Sequence, residues 1–402
     1  MLLSPESEAI VKATAGVVAE NAEAITARFY PHMFEANPEL LKVFNKANQA
    51  IGEQPKALAA SVVAYAVHLI DPNAPDFGPI MQRIAHKHVS LGIKATDYTI
   101  VGRHLMWAVG DVLGGAVTPE VAAAWDEVYW LFGAQLIAEE AKLYALGGTD
   151  PDQPWRKYKV VDRDDETEGV FSLELAPVEG DLPTHHVGQY VAIAVDLPGG
   201  ERQPRQYTIS GVPGGKSFRL TIKRAKGTDG VPDGQVSNWL GDNAQVGTIL
   251  DVSQPSGDVI LDQSDEPLVL VSAGIGITPM AAILEDLVQH QPKRTVRIYH
   301  ADRNHGTQAL YQRMLGQSMQ LKDSVGEFWY EEGADLAPTR RPAHEGYMDL
   351  SDVEIPDGCR VFMCGSLEFM ANARRQLLAR GVPADRIDYE VFGPDLWARQ
   401  PQ

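Results

Sequence analysis

The sequence predicts a multidomain chain with three domains in series: an all-α domain, a small antiparallel β-barrel and a doubly wound α/β domain. Three changes of texture carry that reading. Residues 1–147 are Ala-rich, with apolar residues at three- and four-residue spacing, the period of amphipathic helices. Residues 155–262 break into short, partly alternating runs separated by Gly, Pro and Asp, as in a small antiparallel barrel. Residues 263–402 alternate strand-like and helical stretches, the order expected of a parallel sheet covered on both faces. The stretch "GTDPDQP" at 148–154 reads as a linker, and "DQSDEP" at 262–267 marks the second boundary.

Composition narrows the function classes. A length of 402 residues exceeds one ordinary core, and 44% hydrophobic with 22% charged residues is the balance of a soluble globular protein. The formal net charge of −19 argues against nucleic acid or an anionic membrane as partner, because an acidic surface repels phosphate. No apolar run approaches a bilayer's thickness, so no integral membrane association is expected. The start "MLLSPESEAIVKA" lacks the basic and apolar segments of a signal peptide. Cys359 and Cys364 are the sole cysteines, which suggests the reducing cytoplasm and excludes a cysteine-rich zinc site. A cytoplasmic monomer is the expectation.

In the helical segment, Ser4-Pro5 has the N-cap and first-turn chemistry that opens a helix. "PIMQRIAHKHVSL" at 79–91 holds two histidines one residue apart. At 3.6 residues per turn, neighbours two apart point about 200° from each other. His88 lies four residues after Ile84 on the stripe of Ile80, Met81 and Leu91, whereas His86 follows Gln82 on the polar side and is expected to face solvent. Alone, His88 reads as a hydrogen-bonded core residue. Further inward polar groups shift that reading. Glu140 shares a face with Leu136 and Leu143 or Tyr144, a costly place for an unpaired carboxylate. Gln54 and Leu58 begin a row continued by Val62 and Tyr65. Tyr30 follows Phe29, although Pro31 disfavours helical geometry at Tyr30. An inward His, Glu, Gln and Tyr together suit a helical pocket for a cofactor that takes an axial imidazole, namely haem.

The segments "ARFYPHMFEANPELLKVFN", "ALAASVVAYA" and "IAHKHVSLGIKATDYTIVGRHLM" resemble the globin domain of the flavohaemoglobin family. The resemblance implies that His88 is the proximal ligand of haem b iron and that Phe44 packs on the haem face. It places Tyr30, Gln54 and Leu58 on the distal side, and Tyr98 and Glu140 behind the proximal histidine. A carboxylate and a phenol there would make the imidazole more basic and fix its orientation. His32, His68 and His104 read as ordinary histidines, with His68 the chief rival ligand.

In the barrel, "RQYTIS" at 205–210 fits the R-x-Y-[ST] pattern of ferredoxin-reductase-type flavoproteins. Alternation puts Arg205 and Tyr207 on one side of a strand, so a cation can hold phosphate while a ring covers the flavin; Gln206 and Thr208 have the opposite parity. In "GQVSNWL", Gly234, Val236 and Ser237 precede or open a short helix with Ser237 as N-cap, a place for the FAD pyrophosphate. "GQY" supplies Tyr190, the family's other flavin contact.

In the last segment, "LVLVSAGIGITPM" is a strand, a Gly-rich turn and a helix start. Gly274, Ile275, Gly276, Ile277, Thr278 and Pro279 form the G-x-G-x-T-P turn of the same reductase superfamily, a site for NADH or NADPH. "VFMCGSLEFM" resembles the superfamily's C-G-P segment, with Ser366 in place of proline, and puts Cys364 beside the hydride-transfer region. "YEVFGPDLW" matches the terminal family motif, with Val391, Phe392, Gly393 and Pro394; Phe392 there covers the flavin. Glu390 and Lys87 match a pair set between flavin and haem. Arg303 offers a contact for the 2′-phosphate of NADPH that neighbouring Asp302 opposes. The resemblance spans the chain and implies a nitric oxide dioxygenase, with nitric oxide and dioxygen as substrates and electrons passing from NAD(P)H through FAD to haem. The alternatives are a flavin reductase of peroxides, quinones or ferric chelates, and a haem-based sensor or store of dioxygen or nitric oxide.

Overall fold

The protein is described by a computed structural model for residues 2–42, 53–227, 232–336 and 341–393. Phe44 and Pro394 lie outside the described residues, as does the side chain of Gln54.

The first segment is helical as expected: α1 (Pro5–Glu20), α2 (Ala22–Ala36), α3 (Glu53–Ile70), α4 (Gly78–Leu91), α5 (Asp97–Leu113) and α6 (Pro119–Leu146). Ser4 caps α1 by accepting from the Ser7 amide, and Thr118 caps α6 by accepting from the Val121 amide; a proline follows each cap. Helix α2 runs through Pro31 without ending at Tyr30. Proline removes one backbone donor, and the buried Phe29, Tyr30 and Met33 hold the segment helical by packing on the domain core. Trp125, Tyr65 and Leu136 complete that core. Helix α5 lies against α6 at Gly102, where an added Cβ would come within 2.4 Å of the Tyr129 ring.

The barrel comprises β1 (Arg156–Thr167), β2 (Val170–Pro177), β3 (Tyr190–Asp196), β4 (Arg202–Thr208), β5 (Phe218–Lys223) and β6 (Ile249–Val252), with α7 (Gln235–Asn243) between the last two strands. The antiparallel order is β4-β3-β6-β1-β2-β5. A bridge between Ile209 and Leu220 brings the two edge strands together. Leu173, Val191, Ile193 and Leu220 fill the interior, with Leu240 of α7 packed on the same cluster.

The last segment holds β7 (Leu268–Ala273), α8 (Ile277–His290), β8 (Thr295–Asp302), α9 (Tyr311–Ser318), β9 (Asp323–Tyr330), β10 (Ala343–Glu345), β11 (Arg360–Cys364), α10 (Leu367–Ala379) and β12 (Ile387–Glu390). All strands run parallel in the order β10-β9-β8-β7-β11-β12. The order reverses between β7 and β11, and the crevice beyond their carboxyl ends is where such sheets bind ligands. Ser366 caps α10 by accepting from the Phe369 amide at 3.2 Å, so serine serves as a helix start in the C-G-S segment. Val170, Val187 and Leu261 of the barrel segment share an apolar cluster with β7 and α8. Among the described residues no helix is long and apolar enough to cross a membrane.

Gly102→Ala is expected to destabilise the helical domain by about 1–3 kcal/mol, because the Tyr129 ring cannot move without losing its bond to the Tyr98 carbonyl. Denaturant unfolding of the two proteins checks this; equal midpoints would show that the helices separate freely there.

Candidate functional site

Helix α4 presents three faces. Met81, Ala85 and Val89 are buried in the helical core. A second face carries the partly buried Ile80, Ile84 and His88. The His88 Nδ1 lies 2.8 Å from Glu140 Oε1 and 2.9 Å from the Tyr98 hydroxyl oxygen. Tyr98 donates to the same Glu140 oxygen. Burial and then the Glu140 charge push the Tyr98 hydroxyl far above its usual range, so it keeps its proton. With that oxygen accepting from both sides, Nδ1 carries the proton and donates, leaving the Nε2 lone pair for a metal. Glu140 is 4% exposed while the His88 side chain keeps 32% exposure. A satisfied Nδ1 and an accessible Nε2 on an apolar face fit an axial ligand of haem.

The neighbours behave as their positions predict. Glu139 accepts from Gln82 at 2.7 Å and pairs with Lys142. Tyr30 is buried with its ring edge-on to Phe29, and Leu58 packs against the same core. His68 sits among Tyr65 and Phe77, and no hydrogen bond to a carboxylate is seen for it among the described residues. His32 and His104 bond each other at 2.9 Å, with His32 stacked on Trp107. Neither has the carboxylate-and-phenol support of His88.

The third face of α4 corrects the expectation for His86. That side chain does not face solvent: its Nδ1 accepts the Gly257 amide of the barrel at 3.0 Å. Burial lowers its pKa, in keeping with a neutral acceptor. Ser90 accepts from Gln206 at 2.7 Å, and Lys87 donates to the carbonyl of Gly393. Gln203 and Gln254 of the barrel segment donate to the carbonyls of Leu41 and Leu143. The polar face of α4 is therefore a seam between domains.

A cavity of about 580 Å³ opens where the barrel meets the α/β domain. Arg205, Tyr207, Lys223, Ser237, Thr278 and Phe392 are among its walls, as are the expected Gln206, Thr208, Gly234, Val236 and Ile275. The Arg205 guanidinium donates to Gln203 Oε1 at 3.1 Å and to the Pro204 carbonyl at 2.6 Å. Lys223 and Thr221 line the cavity too; sequence reasoning missed them, and the alternation of β5 was the available signal. One local expectation changes. Gly234, not Ser237, occupies the N-cap of α7; Ser237 lies inside its first turn and accepts from the Ala225 amide at 3.0 Å. Tyr190 is not among the cavity walls: it is 5% exposed and packs on Gly257, and burial, then Glu390 and Asp258, raise its pKa.

At the nucleotide turn Gly274 takes φ +53°, and an added Cβ on Gly276 would lie 2.3 Å from the Cys364 carbonyl oxygen. Glycine is required at both, one for conformation and one for close approach. Ile277, Thr278 and Pro279 form the first turn of α8, with the Thr278 hydroxyl donating to Ile275. Cys364 is fully buried at the end of β11 and is not among the cavity walls; burial raises its thiol pKa. Glu390 ends β12 opposite Cys364, Val391 is buried, and Phe392 is 48% exposed at the cavity. Asp302 accepts from the Arg303 amide and the Thr307 hydroxyl, which turns its carboxylate inward.

Comparison with known proteins agrees with this arrangement. Family profiles match in order: "Globin" at residues 27–136, "Oxidoreductase FAD-binding domain" at 169–260 and "Oxidoreductase NAD-binding domain" at 270–375. A flavohemoprotein of Bordetella parapertussis is 41% identical over 403 residues, covering 98% of this chain and 99% of that one. The chain belongs to the flavohemoprotein family. A Rhizobium meliloti flavohemoprotein is 36% identical, covering 99% of this chain and 100% of that one. The crystal structure of flavohemoglobin from Malassezia yamatoensis with bound FAD and heme superposes with TM-score 0.87 at 32% identity, covering 97% of this chain and 100% of that one. The FAD/NAD binding domain of a nitric oxide dioxygenase from Vibrio cholerae matches with TM-score 0.55 at 32% identity, over 60% of this chain and 99% of that one. The chain is an oxidoreductase with a globin domain and FAD- and NAD-binding domains.

Arg205→Leu is expected to weaken FAD binding roughly 10- to 100-fold, the loss of charge-assisted bonds to phosphate. Fluorescence titration of flavin-depleted protein measures this; unchanged affinity would remove Arg205 from the phosphate site.

Proposed function

We propose that this chain is a nitric oxide dioxygenase that uses NAD(P)H and dioxygen to convert nitric oxide to nitrate, acting as a monomer in the cytoplasm. In balance, two nitric oxide and two dioxygen molecules with one NAD(P)H give two nitrates, NAD(P)⁺ and a proton. When bound, the nicotinamide supplies a hydride, the flavin divides its two electrons, and the haem iron supplies the site where dioxygen meets nitric oxide. His88 offers Nε2 to that iron while its Nδ1–H donates to Glu140. Glu140 and Tyr98 keep the imidazole electron-rich, which favours electron donation through the ligand. Tyr30 and Leu58 form the opposite wall, with the Tyr30 hydroxyl a donor toward developing negative charge. Arg205 and Lys223 take the FAD phosphates, and Tyr207 covers its ring. Gly274, Gly276 and the α8 N-terminus take the dinucleotide phosphates. Phe392, exposed at the same cavity, would cover the flavin ring.

The observation that carries the reading is the continuity of α4, which holds His88 on one face and the reductase on another. A passive haem store needs no such attachment to an electron supply. NAD(P)H consumption and nitrate formation, measured in air with and without nitric oxide, test it. Nitric oxide should accelerate NAD(P)H use and yield nitrate in wild type, and His88→Ala should form none while still reducing soluble dyes. If nitric oxide changes neither rate nor product, the chain is not a dioxygenase.

A further inference from the structure

Arg83 lies one turn before His86 and Lys87 on α4. Its guanidinium lies 3.4 Å from Asp258 Oδ2 of the barrel segment and 4.6 Å over the ring of Tyr389 in β12. One side chain of the globin helix thus touches both other domains. The ion pair is partly buried, at 20% and 19% exposure, where solvent screens charge less than at an open surface. The planar guanidinium suits both contacts, pairing at its edge and stacking on its face. Both partners sit beside working parts. Asp258 follows Gly257, whose amide bonds His86, and Tyr389 lies three residues before Phe392 at the flavin cavity.

We propose that Arg83 is a positioning residue for flavin-to-haem electron transfer, clamping α4 to Asp258 and Tyr389 together. The proposal rests on the electron route described above. Single-electron transfer falls steeply with the separation of its centres, so it is the step a loosened α4 would slow. Hydride transfer from NAD(P)H to flavin depends on the barrel and the α/β domain. Those are joined without Arg83, through the Val187–Leu261 cluster and the Arg294–Asp262 pair at 3.0 Å.

Anaerobic mixing of oxidised holoenzyme with NADH, followed at the flavin and haem bands, separates the two steps. In Arg83→Gln the flavin should be reduced within about twofold of the wild-type rate and the haem about tenfold or more slowly. Asp258→Asn should do the same, the double variant should add little, and Arg83→Lys should recover part of the rate. Hydrogen exchange gives a second readout: the Gly257 amide should lose protection in Arg83→Gln. An unchanged haem phase with unchanged Gly257 protection overturns the proposal, as does equal slowing of both phases. Failure of NADH to reduce the haem in wild type would instead refute the electron route itself.

Discussion

The hydrogen bond from His88 Nδ1 to Glu140, whose oxygen also accepts from Tyr98, is the constraint on which the remaining chemistry depends. A neutral imidazole has one donor and one acceptor, and fixing the donor at Nδ1 commits Nε2 to a metal. Glu140 can fix it because it is a buried acceptor, and a buried polar group is tolerable only when its hydrogen bonds are made. Tyr98 and His88 use the same oxygen. Tyr98 is held in turn by the Tyr129 hydroxyl, which donates to its carbonyl at 2.5 Å, and by the α5–α6 contact that Gly102 permits. The helices thus aim one imidazole through a chain of polar bonds inside an apolar core.

The same short helix carries a second demand. Its polar face docks on the other domains through Arg83, His86, Lys87 and Ser90. The proposed haem ligand and the interdomain contacts therefore share one helix, and on that proposal movement of α4 against the barrel would change the distance electrons travel. Gly92, with φ +74°, ends the helix against Pro154 at the close of the linker, so the chain leaves α4 beside the barrel it contacts.

Much of this was legible in the sequence, because period and spacing report local geometry. The 3.6-residue period chose His88 over His86 and Glu140 over Glu139, and the R-x-Y-T pattern marked the strand whose residues 205–208 all line one cavity. What escaped was whatever depends on a second domain. His86 was rightly kept off the core face, yet a polar helix face looks the same whether it meets water or another domain's amide. Tyr190 matched a flavin pattern, and its burial against Gly257 of a neighbouring loop was not legible in the strand. The alternation of β5 puts Thr221 and Lys223 on one side, but that this side meets the cavity shows only when β5 closes beside β4. Pro31 failed to end α2 because packing around Phe29 and Met33 outweighs the loss of one hydrogen bond.

The haem midpoint potential in wild type and in Glu140→Gln tests the role of the Nδ1 bonds most directly. The neutral amide keeps the shape and removes the charge, so the imidazole becomes a poorer donor and the ferric state loses support. The potential should rise, by about 60 mV for each tenfold change in the ferric-to-ferrous preference. Equal potentials in the two proteins would show that Glu140 does not act through His88, and the arrangement drawn from α4, α5 and α6 would be wrong.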